Sequence, residues 1–407
     1  MLKTNTITQK FMKLGCDNAP GQESSQVATS LPLKGEKLSG TPVDFSHGDV
    51  DAFEPLPGAF EAFSEGFRTG GSQAYTEYKG KYTIRQDVAQ KLSQFTGDAI
   101  DPDKNIILTP GTQGALFLAM GSLITSGDKV AIVEPDYFAN RKLVEFFDGE
   151  IVPIQMDYYA SDQRAGLNLN QLENAFKNGV KLFLFSNPNN PTGVIYSYEE
   201  IVQIAFLAKK YNATLLVDEL YSRQVFDHHP YTHLCAQQEI PDNLITIIGP
   251  SKTESLSGFR LGAAFGSVAI ITRMEKLQAI VSLRTAGYCQ SVYKVWFNEP
   301  DGFMAKRIAD HQAIRDAIID KLKDVDGVRF RTTEAGSYLF VELPKMDVDI
   351  VTFSKIVRQL ADVTITPGTE FGPTFTHAFR INFSQNHQAA VDAIERVLKI
   401  KIGRAHV

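Results

Sequence analysis

From about residue 100 the chain alternates between short apolar runs and helix-like segments, and this alternation constrains its fold more than any other feature. The apolar runs are rich in β-branched and aromatic residues, and turn-forming residues follow them, as is typical of buried strands. These predicted strands are 105–108, 129–133, 181–185, 213–217 and 244–248. Apolar strands separated by helices indicate an α/β fold with a mostly parallel sheet covered on both faces. Ligands of such sheets bind at the carboxyl ends of the strands.

Two helix starts are predicted from local patterns. Ser197 and Glu200 form the S-x-x-E pattern of a capping box ahead of an apolar run, which is typical of a helix N-terminus. The glycine-containing turn 109–114 leads into a second apolar segment. We expect the regular part of that helix to begin at Ala115.

The pattern changes from about residue 305. A long helical pattern runs from Met304 to about Asp324, and short predicted strands follow at 328–330 and 337–341. A long helix followed by short strands favours a second, smaller α+β domain.

These patterns divide the chain into parts. We interpret residues 1–45, rich in Ser, Thr, Gly and Pro, as an N-terminal arm. The large domain is predicted to cover 71–300, and the small α+β domain 46–70 together with 301–400. Residues 401–407 form a tail.

Composition argues against several classes of function. The net charge is −6 without a long run of one sign, so nucleic acid is not expected as a partner. Cys16, Cys235 and Cys289 lack the spacing of a disulfide framework or a metal site. The first residues contain no apolar signal segment, and no apolar stretch is long enough for a membrane span. We therefore expect a cytoplasmic protein that binds neither metal nor membrane.

Lys252 carries the strongest chemical signal. It follows the apolar strand 244–248 and the turn at Gly249-Pro250. A neutral lysine amine is a nucleophile that forms a Schiff base with a carbonyl. Arg260, eight residues later, has the planar fork that grips a phosphate. An aldehyde and a phosphate together indicate pyridoxal 5′-phosphate (PLP), although a lone lysine after a strand is more often a solvated charge.

Three polar residues after other predicted strands are suited to the same cofactor. Asp218 ends the strand 213–217, where a carboxylate can pair with a pyridinium nitrogen and make the ring an electron sink. Tyr221 is close enough in sequence to reach the same ring. Asn190 lies in the Pro- and Gly-containing loop 187–193, which fixes its direction. The simpler interpretation makes Asp218 a turn cap and Tyr221 a packing residue.

Two further segments have both a functional and a structural interpretation. Gly111, Thr112 and Gln113 open a helix after a strand, where free backbone N–H groups bind anions, but an ordinary tight turn has the same pattern. Tyr137 follows another strand and can stack on a flat ring or pack in a core.

Arg380 lies in the bulky apolar segment 379–383. A buried arginine needs an anionic partner. A substrate carboxylate or a structural ion pair would meet that need.

Six motifs in this order resemble the class I and II aminotransferases, PLP-dependent enzymes of fold type I that include the aspartate aminotransferases. The resemblance runs over about residues 45–395. The motifs are Tyr75-x4-Gly80-x3-Ile84-Arg85, Gly111-Thr112-Gln113, the loop 187–193, Asp218-Glu219-x-Tyr221, Ser251-Lys252-x7-Arg260 and Pro367-Gly368-x2-Phe371-Gly372. The resemblance implies a large PLP-binding domain, with a mostly parallel sheet of the seven-stranded type between helices, and a smaller α+β domain.

The resemblance also implies roles at the matching positions around the cofactor ring. Lys252 forms the Schiff base and then moves a proton between the substrate Cα and C4′ of the cofactor. Asp218 pairs with the ring nitrogen, Asn190 and Tyr221 bond the 3′-oxygen, and Tyr137 stacks on the ring.

Other matching positions serve the phosphate and the substrate. The phosphate is held by the helix start and the lysine segment, through Gly111, Thr112, Gln113, Ser251 and Arg260. Tyr75 reaches a phosphate in the neighbouring subunit, so the resemblance implies a homodimer with shared active sites. Arg380 binds the substrate α-carboxylate, and Gly48 lies on the substrate side.

The chain departs from the family pattern at three places. Gly249 stands where the family often has Ser, so one phosphate contact is missing. Thr112 stands where one group of aspartate-specific relatives has Lys. Arg284 is a candidate for recognising the substrate side chain or for a gate. Aspartate is therefore not assumed as the substrate from the sequence.

Several functions remain open at this point. The leading hypothesis is a PLP-dependent aminotransferase that moves an amino group from an L-amino acid to a 2-oxo acid. The same lysine and electron sink also serve a racemase, a β-lyase, a decarboxylase or an oxidase. A non-catalytic PLP-binding regulator usually carries a DNA-binding domain, for which the first 45 residues are too short. A Rossmann dehydrogenase lacks support because no G-x-G-x-x-G follows an early strand.

Overall fold

The computed structural model describes residues 6–15, 35–47, 52–160 and 164–402. Strands in this part of the chain are β1 (Val43–Asp44), β2 (Ile106–Pro110), β3 (Lys129–Glu134), β4 (Glu150–Gln155), β5 (Leu182–Ser186), β6 (Thr214–Asp218), β7 (Leu244–Ile248), β8 (Leu261–Gly266), β9 (Arg329–Phe330), β10 (Tyr338–Glu342), β11 (Val363–Thr364), β12 (Thr366–Pro367) and β13 (Ala378–Asn382).

The α-helices are α1 (Thr6–Met12), α2 (Ala59–Thr69), α3 (Gly71–Ala74), α4 (Tyr82–Thr96), α5 (Gly111–Leu123), α6 (Phe138–Phe146), α7 (Leu169–Lys177), α8 (Tyr198–Lys210), α9 (Val268–Val281), α10 (Gly287–Gln290), α11 (Phe303–Leu322), α12 (Ile350–Ala361) and α13 (His387–Ile402). Short 3-10 turns lie at Leu234–Ala236, Ser257–Phe259, Ser291–Lys294 and Gly368–Glu370.

The central sheet has seven strands in the order β2-β8-β7-β6-β5-β3-β4. The pairs within β7-β6-β5-β3-β4 are parallel, while β8 runs antiparallel to both of its neighbours. Buried apolar clusters cover both faces of this sheet. The predicted α/β fold with a mostly parallel sheet is therefore confirmed.

The observed elements agree with the predicted ones to within one to three residues at most ends. The strand predicted at 244–248 is β7 itself. The capping box is present, since Ser197 caps α8 and Glu200 returns a hydrogen bond to the Ser197 backbone. The prediction that regular helix begins at Ala115 is wrong, because α5 begins at Gly111. Gly111 adopts a φ of +74°, which turns the chain directly from β2 into the helix.

Two strands of the central sheet were missed by the sequence analysis. Strand β4 lies at the sheet edge and contains Pro153, which is unusual inside a strand. Strand β8 is built largely from Gly and Ala, which have low strand propensity. Small residues are needed in β8, since a Cβ atom on Gly262 would lie 2.5 Å from the Thr112 backbone nitrogen.

A second, smaller unit has its own antiparallel sheet in the order β12-β13-β10-β9, with a parallel β1–β11 pair beside it. Its apolar core is formed with helices α11, α12 and α13, and it includes Val43 of β1 and Phe45 just after that strand. Leu56 and Ala59, further along, belong to the core of the large unit instead. The predicted domain boundaries remain a prediction.

No α-helix in the described ranges is long and apolar enough to cross a membrane. The described residues also contain no cluster of three or more His, Cys, Asp or Glu side chains placed to hold a metal ion.

Candidate active site

A cavity of about 380 Å³ lies where strands β5, β6 and β7 end, which is the edge expected for a ligand of a parallel sheet. Its volume falls within the roughly 300–1,000 Å³ of small-molecule sites. Most of the residues predicted from the sequence line it: Thr112, Gln113, Tyr137, Asn190, Asp218, Tyr221, Ser251, Lys252, Arg260 and Arg380. The lining also includes Ser46, Ser186 and Tyr338, which the sequence analysis did not select.

Four predicted residues are not among the described residues that line the cavity. Gly111 is buried behind the cavity, next to Arg260. Tyr75 is 77% exposed on the surface. Arg284 lies over Tyr75, with its Cζ atom 4.6 Å from the ring centre, and it does not line the cavity of its own chain. Gly48 is outside the described residues.

The loop that carries Lys252 is held by hydrogen bonds from Arg307 of α11. Arg307 Nη1 donates to the Thr253 carbonyl oxygen across 3.1 Å and to Ser255 Oγ across 2.7 Å. Ser255 and Arg260 both have a φ of +54°, a backbone conformation that is strained for residues with a side chain. Lys252, which is half-buried, therefore lies in a loop whose backbone conformation is constrained.

Helix α5 begins beside Arg260 at the cavity, and both offer donors to an anion. A Cβ atom on Gly111 would lie 2.5 Å from Arg260 Nη2, so glycine is required for the guanidinium to approach the helix start. Backbone N–H groups at a helix start and a guanidinium both favour a phosphate.

The absence of a side chain at Gly249, where the family often has Ser, has a structural reason. A Cβ atom there would lie 2.9 Å from Thr112 Cγ2 and 3.0 Å from the Leu261 carbonyl oxygen. The methyl group of Thr112 and the neighbouring strand therefore occupy the space that a serine would need.

Asp218 is buried at the end of β6 and faces the cavity. Burial raises the pKa of its carboxyl to about 7, although the hydrogen bond from the Leu220 backbone N–H lowers it. Nearby Glu219 raises this pKa further. A buried carboxyl in this state would be ionised by a cation placed beside it.

A buried carboxyl that the sequence analysis missed supports the loop 187–193. Asp136 accepts hydrogen bonds from Ser186 Oγ at 2.5 Å and from the Tyr137 backbone N–H at 2.7 Å. Ser186 Oγ in turn accepts from the Asn190 backbone N–H at 3.2 Å. Burial raises the pKa of Asp136 to about 7. This chain of bonds fixes Asn190 at the cavity wall.

Arg380 is 4% exposed, lies on β13 and lines the same cavity as Lys252. Its Nη1 donates to Asn190 Oδ1 at 3.0 Å, and its Nη2 donates to the Ser46 carbonyl oxygen at 2.8 Å. Among the described residues, no carboxylate oxygen is paired with it, and its Nε lacks a hydrogen-bond partner. A buried guanidinium of this kind favours an anionic ligand over the structural ion pair.

Comparison with known proteins agrees with this geometry. The family model for aminotransferases of class I and II matches residues 41–397. The chain belongs to this family. It is 30% identical to an aspartate aminotransferase of Sulfolobus acidocaldarius, covering 81% of this chain and 82% of that one. An asparagine–oxo-acid transaminase of Streptococcus mutans is 27% identical, covering 92% and 96% of the two chains.

A solved structure extends the similarity to the whole fold. The crystal structure of an aspartate aminotransferase from Rhodobacter sphaeroides is 56% identical and superposes with a TM-score of 0.92. The match covers 98% of this chain and 100% of that one. The chain is thus a PLP-dependent aminotransferase of fold type I that acts on amino acids and 2-oxo acids. The leading hypothesis from the sequence is confirmed over the other PLP reactions and the regulator.

The side chains around the cavity of this aminotransferase match the chemical groups of PLP. Arg260 beside the start of α5 offers donors for a phosphate. Asp218 is a buried carboxyl suited to a protonated ring nitrogen. Lys252 supplies an amine for the aldehyde, and the unpartnered Nε of Arg380 leaves donor capacity for a substrate carboxylate.

The site residues that the sequence analysis missed share one property. Asp136, Ser186 and Tyr338 act through partners that are distant in sequence. The available signal was weak: Asp136 directly precedes Tyr137 after a predicted strand, and Tyr338 brings a hydroxyl into an apolar strand.

Proposed function

We propose that this aminotransferase uses aspartate as an amino donor, and that it works as a homodimer whose two active sites each draw residues from both subunits. The support for the donor is that the 56% identical structure and the 30% identical relative are both aspartate aminotransferases. The observation that carries the reaction is the placement of Lys252, Asp218 and Arg380 around one cavity.

Aspartate needs two cations, one for each carboxylate. The Lys and Arg side chains among the described lining residues are Lys252, Arg260 and Arg380. With Lys252 and Arg260 assigned to the cofactor, Arg380 is left for the α-carboxylate. The second carboxylate then needs a cation from elsewhere, and we assign it to the partner subunit through Arg284.

The position of Arg284 supports this assignment. Its guanidinium lies between the rings of Tyr75 and Tyr78, with Cζ 4.6 Å and 5.3 Å from their centres, and Nη1 donates to the Thr76 carbonyl oxygen. Arg284 and Tyr75 are therefore in contact with each other at the surface. A subunit that places Tyr75 at its partner's phosphate brings Arg284 to the same site.

An exposed apolar surface supports the homodimer. Helix α2, the segment 75–82 and the end of α9 carry large exposed side chains: Phe60, Phe67, Tyr75, Tyr78, Tyr82, Ile280, Val281 and Leu283. Contacts beside this surface connect α2 and α3 to α10: the Phe67 ring meets the Tyr288 ring, and Gln73 Nε2 donates to the Gly287 carbonyl oxygen at 2.7 Å. An extended apolar surface on a soluble enzyme fold favours a subunit interface.

Each group of the site has a part in the transfer. Arg380 binds and orients the α-carboxylate of the substrate. Lys252 would hold the cofactor through Nζ, and its amine would take the proton from the substrate Cα. When bound, PLP supplies an electron sink for the charge that develops at that carbon. Asp218 would keep a proton on the ring nitrogen, and Asn190 and Tyr221 would donate to the 3′-oxygen.

The phosphate would be held by backbone and side-chain donors of Gly111, Thr112, Gln113, Ser251 and Arg260, and Tyr137 would stack on the ring. Gly48 contributes to the substrate side. These proposed roles are those that the family resemblance implies.

We place the enzyme in the cytoplasm, with the domain boundaries given in the sequence analysis and no nucleic acid or membrane as a partner. Cys235 and Cys289 are free thiols, which suits a reducing compartment.

A spectroscopic assay tests the donor. Purified enzyme is loaded with PLP, and amino acids are added one at a time while the visible absorbance is recorded. Aspartate is expected to convert the band to that of the amino form, and a 2-oxo acid is expected to restore it. A panel in which other amino acids convert the band while aspartate leaves it unchanged contradicts the proposed donor but not the aminotransferase reaction.

Subunit mixing tests the shared site. The Lys252→Ala and Tyr75→Ala variants are unfolded together, refolded as a mixture and assayed at limiting PLP. Random pairing gives half heterodimers, each with one intact site, so about a quarter of the wild-type activity is expected. Activity no higher than the sum of the two separate variants contradicts sharing, provided that wild-type enzyme recovers under the same treatment.

A further inference from the structure

Tyr338 makes a contact in the cavity that the roles assigned above do not explain. It lies on β10 of the small sheet, and its hydroxyl oxygen is 2.6 Å from the hydroxyl oxygen of Tyr221, which follows β6 of the large sheet. Both side chains are buried, with 5% and 4% of their surface exposed. Their rings meet edge to face, with centres 5.3 Å apart.

The backbone around Tyr338 holds this contact in place. Thr333 Oγ1 donates to the Tyr338 carbonyl oxygen at 2.5 Å. Gly336 and Gln224 exchange two hydrogen bonds, of 2.8 Å to the Gln224 carbonyl oxygen and 3.0 Å from its Nε2. The segment before Tyr338 is therefore fixed to the turn after Tyr221.

The same segment is tied to the loop 187–193, which also lines the cavity. The backbone N–H groups of Glu334 and Ala335 both donate to the Gly193 carbonyl oxygen at 3.0 Å. A Cβ atom on Gly336 would lie 3.2 Å from Tyr221 Cγ, and Gly336 has a φ of +77°. Glycine at this position lets β10 begin directly against the Tyr221 ring.

The ring of Tyr338 has a second neighbour. The Cζ atom of Arg380 lies 4.2 Å from the ring centre, which is within the range of a cation–π contact. Tyr338 thus touches the arginine assigned to the substrate carboxylate through its ring and Tyr221 through its hydroxyl.

We propose that Tyr338 is a positioning residue for the aminotransferase reaction: its hydroxyl donates to Tyr221 and thereby directs the Tyr221 proton to the 3′-oxygen of the cofactor. This inference rests on the proposed role of Tyr221. A phenol has a single proton to donate, so Tyr221 cannot donate to the cofactor and to Tyr338 at once. An anionic 3′-oxygen would accept the hydrogen bond that this proton makes. Tyr338 must then be the donor in the bond between the two tyrosines.

This direction of the bond has an energetic consequence. A hydroxyl that accepts a hydrogen bond becomes a stronger donor through its own proton. Tyr338 therefore strengthens the bond from Tyr221 to the 3′-oxygen. The ring of Tyr338 contributes separately by supporting the guanidinium of Arg380.

The two contributions can be separated by substitution. Tyr338→Phe keeps the ring under Arg380 and removes only the hydroxyl. The cofactor-loaded variant is titrated with base while the visible absorbance is followed. The midpoint is expected to rise by roughly half to one pH unit, the size of one neutral hydrogen bond, because the form with the full negative charge on the 3′-oxygen loses stabilisation. The KM for the amino acid should stay within about twofold, since Arg380 keeps its ring contact.

Tyr338→Leu removes the ring as well. It is expected to shift the midpoint by the same amount and to raise the KM about tenfold more than Tyr338→Phe does, through the loss of the ring contact with Arg380. Tyr158→Phe is the matched control, because Tyr158 also donates to a tyrosine hydroxyl, Tyr159 Oη at 3.3 Å, but outside the cavity. It should leave the midpoint unchanged.

The Tyr221→Phe background completes the test. Tyr338→Phe should have no further effect on the midpoint there, because the hydroxyl through which it acts is gone. An unchanged midpoint in Tyr338→Phe alone, or an equal shift in both backgrounds, overturns the inference while leaving the proposed function intact. A wild-type enzyme that develops no visible band with PLP contradicts the cofactor roles and this inference together.

Discussion

Arg380 Nη1 donates to Asn190 Oδ1 across 3.0 Å, and this bond joins the small sheet to the loop after β5 at the cavity wall. Both residues are buried. The amide oxygen of Asn190 is used by Arg380, which leaves its Nδ2 group for the proposed bond to the cofactor. With the proposed roles, substrate binding and cofactor binding depend on the same side chain.

Substitution of Arg380 tests its place in the substrate site. Arg380→Ala should raise the KM for the amino acid about 100-fold, since a charged hydrogen-bonded pair in a buried site is worth about 3 kcal/mol. Arg380→Lys keeps the charge but loses the planar fork, so an intermediate KM is expected. Steady-state kinetics measure both, and an unchanged KM in Arg380→Ala removes Arg380 from the site.

Removal of PLP should make stability depend on the charge of Asp218. Burial raises the pKa of this carboxyl to about 7 from an ordinary value of 3.8. Between these values the folded protein holds a proton that the unfolded chain releases, so its stability falls as the pH rises through that window. Cofactor-free Asp218→Asn should therefore melt several degrees above cofactor-free wild type at pH 8, but close to it near pH 4.

Thermal unfolding of both proteins between pH 4 and 8 checks this prediction. Asp301→Asn, which removes an exposed carboxylate, serves as the control and should follow the wild type. A constant difference in melting temperature between Asp218→Asn and the wild type across the range would contradict the account.

The glycine at the start of α5 gives a test of the phosphate site. Gly111→Ala places a Cβ atom 2.5 Å from Arg260 Nη2 at a φ of +74°, so it should displace the guanidinium and weaken PLP binding about tenfold or more, the loss of one charged hydrogen bond. Gly127→Ala has the same backbone strain, at a φ of +84°, but no atom within 4 Å. Both variants should lose similar stability, and equal PLP affinities measured by absorbance titration would contradict the assignment.

The sequence predicted the parts of the fold that depend on local pattern. Strands β5, β6 and β7 are continuous apolar runs, and the residues just after them reach the cavity because parallel strands end at one edge. Strand β8 could not be predicted from its Gly and Ala content, since its small residues reflect the close approach of the start of helix α5 to Gly262.

The residues of the candidate site also fall into two groups: those that the local sequence predicts and those that depend on distant contacts. Lys252, Asp218 and Arg380 were recognisable because each stands out against its local sequence. Tyr338 was not, since its contact with Tyr221 joins residues 117 positions apart. Asp136 depends similarly on Ser186, 50 positions away. The roles of Tyr75 and Arg284 remain predictions, because they concern a neighbouring subunit.

Replacement of the lysine should stop the reaction without unfolding the protein. Lys252→Ala is expected to lower kcat by roughly a thousandfold or more, since it removes both the covalent attachment and the proton-transfer group. The Lys252 side chain is half-buried in a loop that is held through its neighbours, so the melting temperature of the cofactor-free protein should change little. Full turnover in this variant would contradict the assignment.

The most direct test of the central claim is to find the lysine that carries the cofactor. PLP-loaded enzyme is reduced with borohydride, which makes the bond between amine and cofactor permanent, and the digested protein is analysed by mass spectrometry. The account predicts one pyridoxyl group per chain, on the peptide that contains Lys252. A label on any other lysine, or no label on a protein that shows the visible band, would contradict it.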